Sequence, residues 1–266
     1  MKMTSTPRDY DRLFQQFWPI YESRPIKNNA GGCELPQLFG LWVFLTEERT
    51  TNIIESGAWK GQTTWLFHST CRDADIVSID PVVANRQWTA PDRVKYSEID
   101  FIYHDWSAVD YEKALVFFDD HVNEYKRLMN CRSWGFKRIV FEDNYPARAG
   151  DPSIRQMLAG EPCGTHKPTL KNCIKKFMRS YAARFDDYAE RYDSAVLQQA
   201  LAAIPGSYEE FPPLVQAELT RWGIPWHVAY PEVRPCLNLA LLTERQLGRV
   251  LATAKDYTSI CRILLD

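Results

Sequence analysis

Two clusters of polar side chains in this sequence each follow a short apolar run. Asp119-Asp120-His121 comes directly after residues 115–118, and Glu142-Asp143-Asn144 comes directly after residues 138–141. Carboxylates that meet at one point repel one another unless a positive group lies among them. Carboxylate and amide oxygens are the ligands that a hard divalent cation such as Mg²⁺ prefers, and a bound cation lowers the pKa of an oxygen that it holds. The two clusters therefore predict a cation site beside a reacting hydroxyl.

The residue types in these clusters also indicate roles. His121 is well suited to accept a proton near neutral pH, so we predict His121 and Asp119 as the catalytic residues. The candidate cation ligands are the oxygen-bearing residues of both clusters: Asp119, Asp120, Glu142, Asp143 and Asn144. Two plainer alternatives stay open. The acids can form a solvated rim that caps helix N-termini, and His121 can be a locally packed residue at the start of a helix.

A third segment, residues 55–64, joins an apolar run to a predicted helix and carries Gly57 and Gly61. Glycine allows a sharp turn and lets a ligand approach the backbone closely. The dinucleotide fingerprint does not fit, because Trp59 and Gln62 occupy its second and third glycine positions. The phosphate-binding pattern GxxxxGK[ST] is absent as well. An acid at the mouth of the turn, Glu55, suits a ligand that carries an amine.

Five apolar runs, each followed by an acid or by glycine, predict the strands that position these groups. The runs are 52–55, 76–79, 94–99, 115–118 and 138–141. Stretches with helical character separate several of them, including 62–70 and 121–131, which is typical of a parallel sheet with crossover helices. We predict an α/β fold with a Rossmann-like, doubly wound, mostly parallel seven-stranded sheet. Ligands of such sheets bind outside the carboxyl ends of the strands, where the acids stand.

The rest of the chain is predicted to complete this single domain, with a core of about 34–145 and 236–266. Helices are expected at 10–17, 34–48 and 244–254, and the last two strands at 237–242 and 258–265. Residues 146–235 are predicted to form an α-helical insert or lid that contains a long helix at 169–204.

The glycine segment, together with Asp80 at the end of the next predicted strand, resembles class I S-adenosylmethionine (SAM)-dependent methyltransferases. The resemblance covers about half of the chain. It implies that the glycine loop holds the amino-acid end of SAM, that Asp80 holds the ribose, and that Asp100 with Phe101 lies near the adenine. The residues implied in the loop are Glu55, Gly57, Ala58, Gly61 and Thr63. Asp105-Trp106 is a rival for the adenine position. The resemblance also implies that the turn at 27–32 folds over the glycine segment.

The acidic clusters resemble those of metal-dependent O-methyltransferases, in two alternative registers. Similarity to the catechol type implies Asp119, Asp143 and Asn144 as metal ligands, and aligns Tyr125 with a tyrosine of that family. Similarity to the cephalosporin-hydroxylase-like and macrolide-sugar types implies Asp120-His121 and Glu142-Asp143 instead. Asp143 is a ligand in both registers. The catechol type has a lysine as its general base, whereas this chain has Val122 or Asn123 at that position, depending on the register. The base is then His121, or the metal alone suffices.

Composition excludes several other classes of protein. The chain has 266 residues, with 32 Lys and Arg against 34 Asp and Glu, and a formal net charge of −2. This balance gives no global attraction to nucleic acid or anionic lipid. No apolar run approaches the roughly 18 residues of a membrane span, and the first 17 residues resemble no secretory signal. The seven cysteines never form CxxC, so neither a disulfide framework nor a structural zinc site is expected. We expect a cytoplasmic protein.

These observations together predict a SAM-dependent, divalent-metal-assisted O-methyltransferase. The acceptor is predicted to be a hydroxyl of a small polyol, foremost a sugar or glycan. Tyr145 and Gly150 are placed to line its pocket, and aromatic and arginine side chains of the insert suit a sugar: Arg155, His166, Trp222, Trp226 and His227. A homodimer is an open alternative. The alternative function is a non-catalytic or differently catalytic protein, cephalosporin-hydroxylase-like, that retains the fold.

Overall fold

The computed structural model describes residues 1–4, 6–147, 149–160, 194–231 and 233–266. Its centre is a sheet of eight strands in these residues, in the order β1-β7-β8-β6-β5-β2-β3-β4. The strands are β1 (Lys2–Met3), β2 (Asn52–Ser56), β3 (Asp75–Ile79), β4 (Val94–Ser97), β5 (Ala114–Phe118), β6 (Arg138–Asn144), β7 (Gly206–Glu210) and β8 (Ser259–Leu265). Strands β4, β3, β2, β5 and β6 pair in parallel, and β8 runs antiparallel to β6 and β7. The predicted mostly parallel α/β sheet is confirmed, with one strand more than predicted because β1 pairs with β7.

Helices cover both faces of the sheet, as a doubly wound fold requires. They are α1 (Tyr10–Ser23), α2 (Leu35–Glu47), α3 (Gln62–Thr70), α4 (Glu124–Trp134), α5 (Ile154–Leu158), α6 (Ser194–Ala202), α7 (Trp226–Ala229) and α8 (Glu244–Thr253). Successive strand residues point to opposite faces. Ile53 of β2 accordingly packs in the layer of α1, α2, α3 and α8, whereas Ile54 packs in the layer of α4, α5 and α6. None of the described helices is long and apolar enough to cross a membrane.

Local signals set the ends of the helices that flank the site. Asn123 caps α4, since its Oδ1 accepts hydrogen bonds from the backbone nitrogens of Tyr125 (3.0 Å) and Lys126 (3.4 Å). The helix therefore begins at Glu124 rather than at the predicted residue 121, which leaves His121 in the preceding turn. Helix α3 has the predicted bounds and begins directly after Gly61. Strand β6 runs three residues further than predicted, so the second acidic cluster lies inside it.

The strand predicted at 237–242 is wrong. Asn238 caps a short 3-10 turn there by accepting a hydrogen bond from the Ala240 nitrogen (3.2 Å), and Leu241 is 59% exposed. The strand beside β8 is instead β7, within the range predicted as a helical insert. Most of the predicted helix at 169–204, and His166, lie outside the described residues, and α6 covers its final part.

Candidate functional site

Adjacent strands β5 and β6 bring three of the predicted residues to one point at their carboxyl ends. Asp119, His121 and Asp143 each offer one ligand atom, and these atoms all lie within 4.8 Å of one another. His121 Nδ1 lies 2.7 Å from Asp143 Oδ2 and 3.5 Å from Asp151 Oδ2. The small pocket around the three side chains has room for about one water molecule. We call Asp119, His121 and Asp143 the triad.

A left-handed backbone conformation at His121 and a close contact at Asp119 position the triad. His121 has a φ of +57°, a left-handed conformation that is uncommon outside glycine and that recurs at functional sites. Asp119 is held by the glycine segment, because its backbone nitrogen donates to Ser56 O at 2.8 Å. Gly57 packs so closely on this turn that a Cβ there would overlap the carbonyl group of Asp119. The glycine segment and the triad are therefore in direct contact.

Burial and the charges of neighbouring residues shift the pKa values of the acids around the triad in different directions. Burial, and then the charge of Asp143, raise the pKa of Asp119 well above its ordinary value. Burial and Asp143 likewise raise the pKa of Glu142. Burial acts on Asp143 in the same direction, but its hydrogen bond with His121 and the charge of His121 overcome this and lower its pKa. Hydrogen bonds with Asp143 and Asp151 raise the pKa of His121 to about 12, so without a metal its imidazole is cationic at neutral pH.

Asp120 does not join the triad. Its Oδ2 accepts a hydrogen bond from Ser56 Oγ (2.6 Å) and lies 2.8 Å from Arg127 Nη2. Arg127 also holds Asp100 through two hydrogen bonds of 2.9 and 2.7 Å. Asp120 thus ties β2 to α4 through Ser56 and Arg127 and lies outside the triad, and its role as a metal ligand stays a prediction.

Asn144 and Glu142 also differ from the predicted ligand sets. Asn144 is fully buried, with its Nδ2 donating to the Tyr208 hydroxyl (2.7 Å) and its Oδ1 accepting from the Arg155 nitrogen (2.8 Å). Both ends of its amide therefore serve β7 and α5, away from the triad. Glu142 accepts a hydrogen bond from Thr258 Oγ1 (2.7 Å) and stands beside Asp143, without being a member of the triad. The structure combines Asp119 from one predicted register with His121 from the other.

The glycine segment forms a tight loop between β2 and α3. Gly57 and Gly61 have φ values of +95° and +91°, which favour glycine. Asp80 closes the loop, because its carboxylate accepts hydrogen bonds from the backbone nitrogens of Trp59 (2.6 Å) and Val82 (2.7 Å). Glu55 is fully buried and accepts hydrogen bonds from the hydroxyls of Thr63 and Thr64. Glu55 and Thr63 therefore shape the loop from beneath, and Ala58, 2% exposed, packs with them.

The turn at 27–32 folds over this loop, as predicted. Trp59 Nε1 donates to Ala30 O (3.2 Å), and Lys60 Nζ donates to Asn28 O (3.0 Å). Two buried polar groups here have unused hydrogen-bonding capacity among the described residues: both side-chain atoms of Gln62, and Oδ1 of Asn29. Sequence analysis missed both. The signal for Gln62 was its position as the first residue of the helix that follows the glycine loop.

Phe101 does not reach the open edge of the sheet. It is fully buried, and its ring stacks on Trp106 with centroids 5.3 Å apart and packs edge-on against Phe118. Asp100 is engaged by Arg127, as described above. The ring thus contributes to the apolar core, and the adenine contacts that the resemblance implies for Phe101 stay a prediction. Trp106, the rival, is 3% exposed and lies in the same core.

Three aromatic and basic side chains border the triad on the side of the predicted insert. Tyr145 N donates a hydrogen bond to Asp143 O (2.8 Å), and the Tyr145 ring packs edge-on against Trp222 with centroids 5.4 Å apart. A Cβ on Gly150 would overlap the Tyr145 ring, so the two predicted pocket residues are in contact. Arg221, which sequence analysis missed, donates to the Tyr145 hydroxyl at 3.4 Å. His227 is exposed, and Trp226 lies in a separate aromatic cluster.

Comparison with known proteins gives no match among protein-family models or curated proteins. Among solved structures, the chain is similar to the SAH-bound methyltransferase PaMTH1 of Podospora anserina, with 12% identity and a TM-score of 0.48 over 99% of this chain and 90% of that one. The O-methyltransferase from Bacillus cereus in complex with SAH has 12% identity and a TM-score of 0.42 over 98% and 92% of the chains. A SAH-bound structure of cmcI-N160 has 16% identity and a TM-score of 0.35 over 54% and 81%. The first two of these solved structures are methyltransferases.

Proposed function

We propose that this protein transfers the methyl group of SAM to a hydroxyl oxygen of a small acceptor, with the help of a divalent cation. The acceptor is a polyol, foremost a sugar. The observation that carries this proposal is the direct contact between the glycine loop and the triad, where Gly57 lies against the backbone of Asp119. A donor bound at the loop and a hydroxyl bound at the triad would then be neighbours, which is the main requirement for methyl transfer from an already reactive donor.

The glycine loop fits the proposed donor by its unsatisfied polar groups. Gln62, 1% exposed, has no hydrogen-bond partner for either side-chain atom among the described residues, and Asn29 lacks one for its Oδ1. A buried amide without partners is costly, so a polar ligand at the loop would relieve it. Each carboxylate oxygen of Asp80 accepts one hydrogen bond from the described residues, from Trp59 N of the loop and from Val82 N, and keeps acceptor capacity for ribose hydroxyls.

The triad fits a divalent cation by its donor set. Two carboxylates and one imidazole with ligand atoms inside 4.8 Å match the ligands of Mn²⁺, Fe²⁺ or Zn²⁺, and the carboxylates alone match Mg²⁺. The crowding of Asp119, Glu142 and Asp143 is a second sign, because a cation would offset the repulsion that now raises the pKa of Asp119. When bound, the cation would lower the pKa of the acceptor hydroxyl.

The protein's own residues then have separate roles in this proposal. Asp119 and Asp143 hold the cation, with His121 as the third ligand. Asp119 is also the candidate acceptor of the proton that the hydroxyl would release when the cation lowers its pKa. His121 as the base is the less favoured assignment, because its ring nitrogen would be occupied as a cation ligand. Tyr145 N donates a hydrogen bond to Asp143 O (2.8 Å), which braces the end of β6 beside the cation ligands.

The test is calorimetric titration of the purified protein with S-adenosylhomocysteine, with and without Mg²⁺ or Mn²⁺. We expect binding in the micromolar range. Asp143→Ala should lose cation binding and keep S-adenosylhomocysteine binding, and the exposed Asp73→Ala serves as the matched control that keeps both. Labelled SAM with a panel of sugars and catechols then identifies the acceptor class. Failure of S-adenosylhomocysteine to bind under any metal condition would reject the methyltransferase proposal and favour a fold-retaining protein with other or no catalysis.

A further inference from the structure

Glu124 is a buried acid to which the proposed reaction assigns no role. It is the first residue of α4 and is only 4% exposed. Its Oε2 accepts a hydrogen bond from the Ile154 nitrogen (2.5 Å), and its own backbone nitrogen donates to Pro152 O (3.3 Å). These two bonds fasten the start of α4 to residues 152–154. The second carboxylate oxygen, Oε1, is buried and has no hydrogen-bond partner among the described residues.

A buried carboxylate oxygen without a partner is costly. Most buried polar groups in folded proteins are hydrogen-bonded, and an unsatisfied charged group costs more free energy than a neutral one. Glu55, which is also buried, shows the usual arrangement, because its two oxygens accept from the hydroxyls of Thr63 and Thr64. The unused capacity of Glu124 Oε1 therefore points to a ligand or a water molecule as its partner.

Glu124 lines the same small pocket as the triad. The pocket lies at the carboxyl ends of β5 and β6, and all three triad residues and Glu124 are in its wall. With Oε2 bonded to Ile154, Oε1 is the oxygen that remains for the pocket. Room for about one water molecule and a wall with several carboxylates are the conditions under which a buried water is held.

The distances favour an indirect contact between Glu124 and a cation at the triad. The ligand atoms of the triad all lie within 4.8 Å of one another, and Glu124 is not a member of that group. Glu124 therefore lies too far out to join the three residues as a direct ligand. A water molecule can span the gap, since it offers its oxygen to a cation and a hydrogen to Oε1. Mg²⁺ usually keeps several waters among its ligands, so such a contact is in keeping with its chemistry.

We propose that Glu124 is a positioning residue of the cation site, which holds the cation through one water molecule in this pocket. The inference rests on the proposed function, since it adds a residue to the cation site of the same reaction. The two oxygens of Glu124 then have separate tasks. Oε2 fixes the segment at Ile154, and Oε1 fixes the water. Loss of such an outer partner typically lowers metal affinity tenfold to a hundredfold.

Replacement of Glu124 by glutamine separates the two tasks. The amide oxygen of Glu124→Gln can accept from the Ile154 nitrogen as Oε2 does, which leaves the amide nitrogen for the pocket. An amide nitrogen donates hydrogen bonds and accepts none, so it cannot take the hydrogen of the water. Mn²⁺ is titrated calorimetrically into the wild type and the variant, and urea denaturation is measured in chelator. We expect Glu124→Gln to bind Mn²⁺ about tenfold to a hundredfold more weakly, and to unfold at no lower urea concentration than the wild type.

Glu244 provides the matched control, because it is also the first residue of a helix, α8, and is exposed. Glu244→Gln removes the same charge from the same helix position and should bind Mn²⁺ as the wild type does. At saturating Mn²⁺, the electron paramagnetic resonance spectrum of the bound ion should change in Glu124→Gln and stay the same in Glu244→Gln. Glu124→Ala removes both contacts and should lose stability as well as affinity.

Three outcomes would count against the proposal in different ways. Wild-type Mn²⁺ affinity in Glu124→Gln would overturn it, and so would a loss of affinity accompanied by a loss of urea stability in this variant, because the fold would then explain the effect. If the wild type itself does not bind Mn²⁺, the inference fails together with the cation of the proposed function. Mn²⁺ binding that depends on Glu124, without binding of S-adenosylhomocysteine, would support the inference and reject the methyl transfer alone.

Discussion

Replacement of Gly57 by alanine tests the contact on which the proposed function depends. A Cβ at this position would overlap the carbonyl group of Asp119 and lie 2.9 Å from the Asp120 nitrogen. The obstacle is backbone rather than the end of a flexible side chain, so the turn after β5 must move to accept it. That turn carries Asp119 and His121. We therefore expect Gly57→Ala to lower both the free energy of unfolding and the affinity for a divalent cation.

The magnitude follows from a matched glycine in the same protein. Gly135, after α4, has a φ of +93° against +95° for Gly57, but a Cβ there would meet only Tyr111 Cδ2 at an ordinary 3.6 Å. Gly135→Ala thus measures the conformational cost alone, about 1 kcal/mol. Gly57→Ala adds the cost of overpacking, about 1–3 kcal/mol. The difference between the two variants isolates the close approach of the glycine loop to Asp119.

The assay is urea denaturation of the wild type and both variants in the presence of a chelator, followed by cation titration of the folded proteins. Gly135→Ala should bind the cation as the wild type does, whereas Gly57→Ala should bind it more weakly. Equal losses of stability in the two variants would refute the close contact. A normal cation affinity in a clearly destabilised Gly57→Ala would show that the loop does not position the triad.

The two neighbouring aspartates should behave in opposite ways. Asp120→Ala should lower the free energy of unfolding by about 2 kcal/mol, since its oxygens are held by a hydroxyl and a guanidinium, and should leave cation affinity unchanged. Asp119→Ala should abolish cation binding at little cost in stability, because burial and Asp143 already disfavour the charge of Asp119. Denaturation and cation titration of both variants measure these effects. Loss of cation binding in Asp120→Ala would show that the assignment of the ligands is wrong. In chelated protein, the pKa of His121 is raised from its ordinary value to about 12, so the stability it contributes is full below about pH 6.5 and is lost as the pH rises towards 12. The difference in unfolding free energy between wild type and His121→Gln should therefore shrink from about pH 6 to about pH 9.5, and a constant difference would contradict the pairing. A cation must displace the same proton, so its apparent affinity should rise with pH, by at most about tenfold per unit, in the wild type more than in His121→Gln.

The sheet was predictable where strands are buried on both faces. Such strands read as continuous apolar runs, and all five runs before residue 145 form strands of the sheet, although β4, at the edge, is only half-buried. Strand β7 escaped prediction because its sequence, Gly-Ser-Tyr-Glu-Glu, is polar. Glu209 is only 4% exposed, since Arg8 and Arg262 pair with it at 2.6 and 2.7 Å. Those partners lie 201 and 53 residues away, so no local pattern reveals that the strand is buried.

The glycine loop was predictable for a related reason. Its two glycines have the left-handed conformation that only glycine adopts readily, and Asp80 supplies the acceptor that the loop nitrogens require. The closing of the loop by the turn at 27–32 was expected from the family resemblance rather than from any residue of the turn. Gln62 was not predictable as an unsatisfied group, because an amide becomes conspicuous only when its burial and the absence of partners are known.

The choice of triad residues depended on backbone irregularities that no residue pattern discloses. In a regular strand, Glu142 and Asn144 would share one face of β6 and Asp143 would take the other. The register of β6 against β8 shifts between Phe141 and Asn144, and a bulge of this kind re-aims side chains next to functional sites. Asp143 then meets His121, which is itself turned by its positive φ, while Asn144 turns to Tyr208. Neither of the two predicted ligand sets combined Asp119 with His121. The triad therefore depends on two irregularities of the backbone at the carboxyl ends of neighbouring strands, a bulge on β6 and the positive φ of His121 after β5.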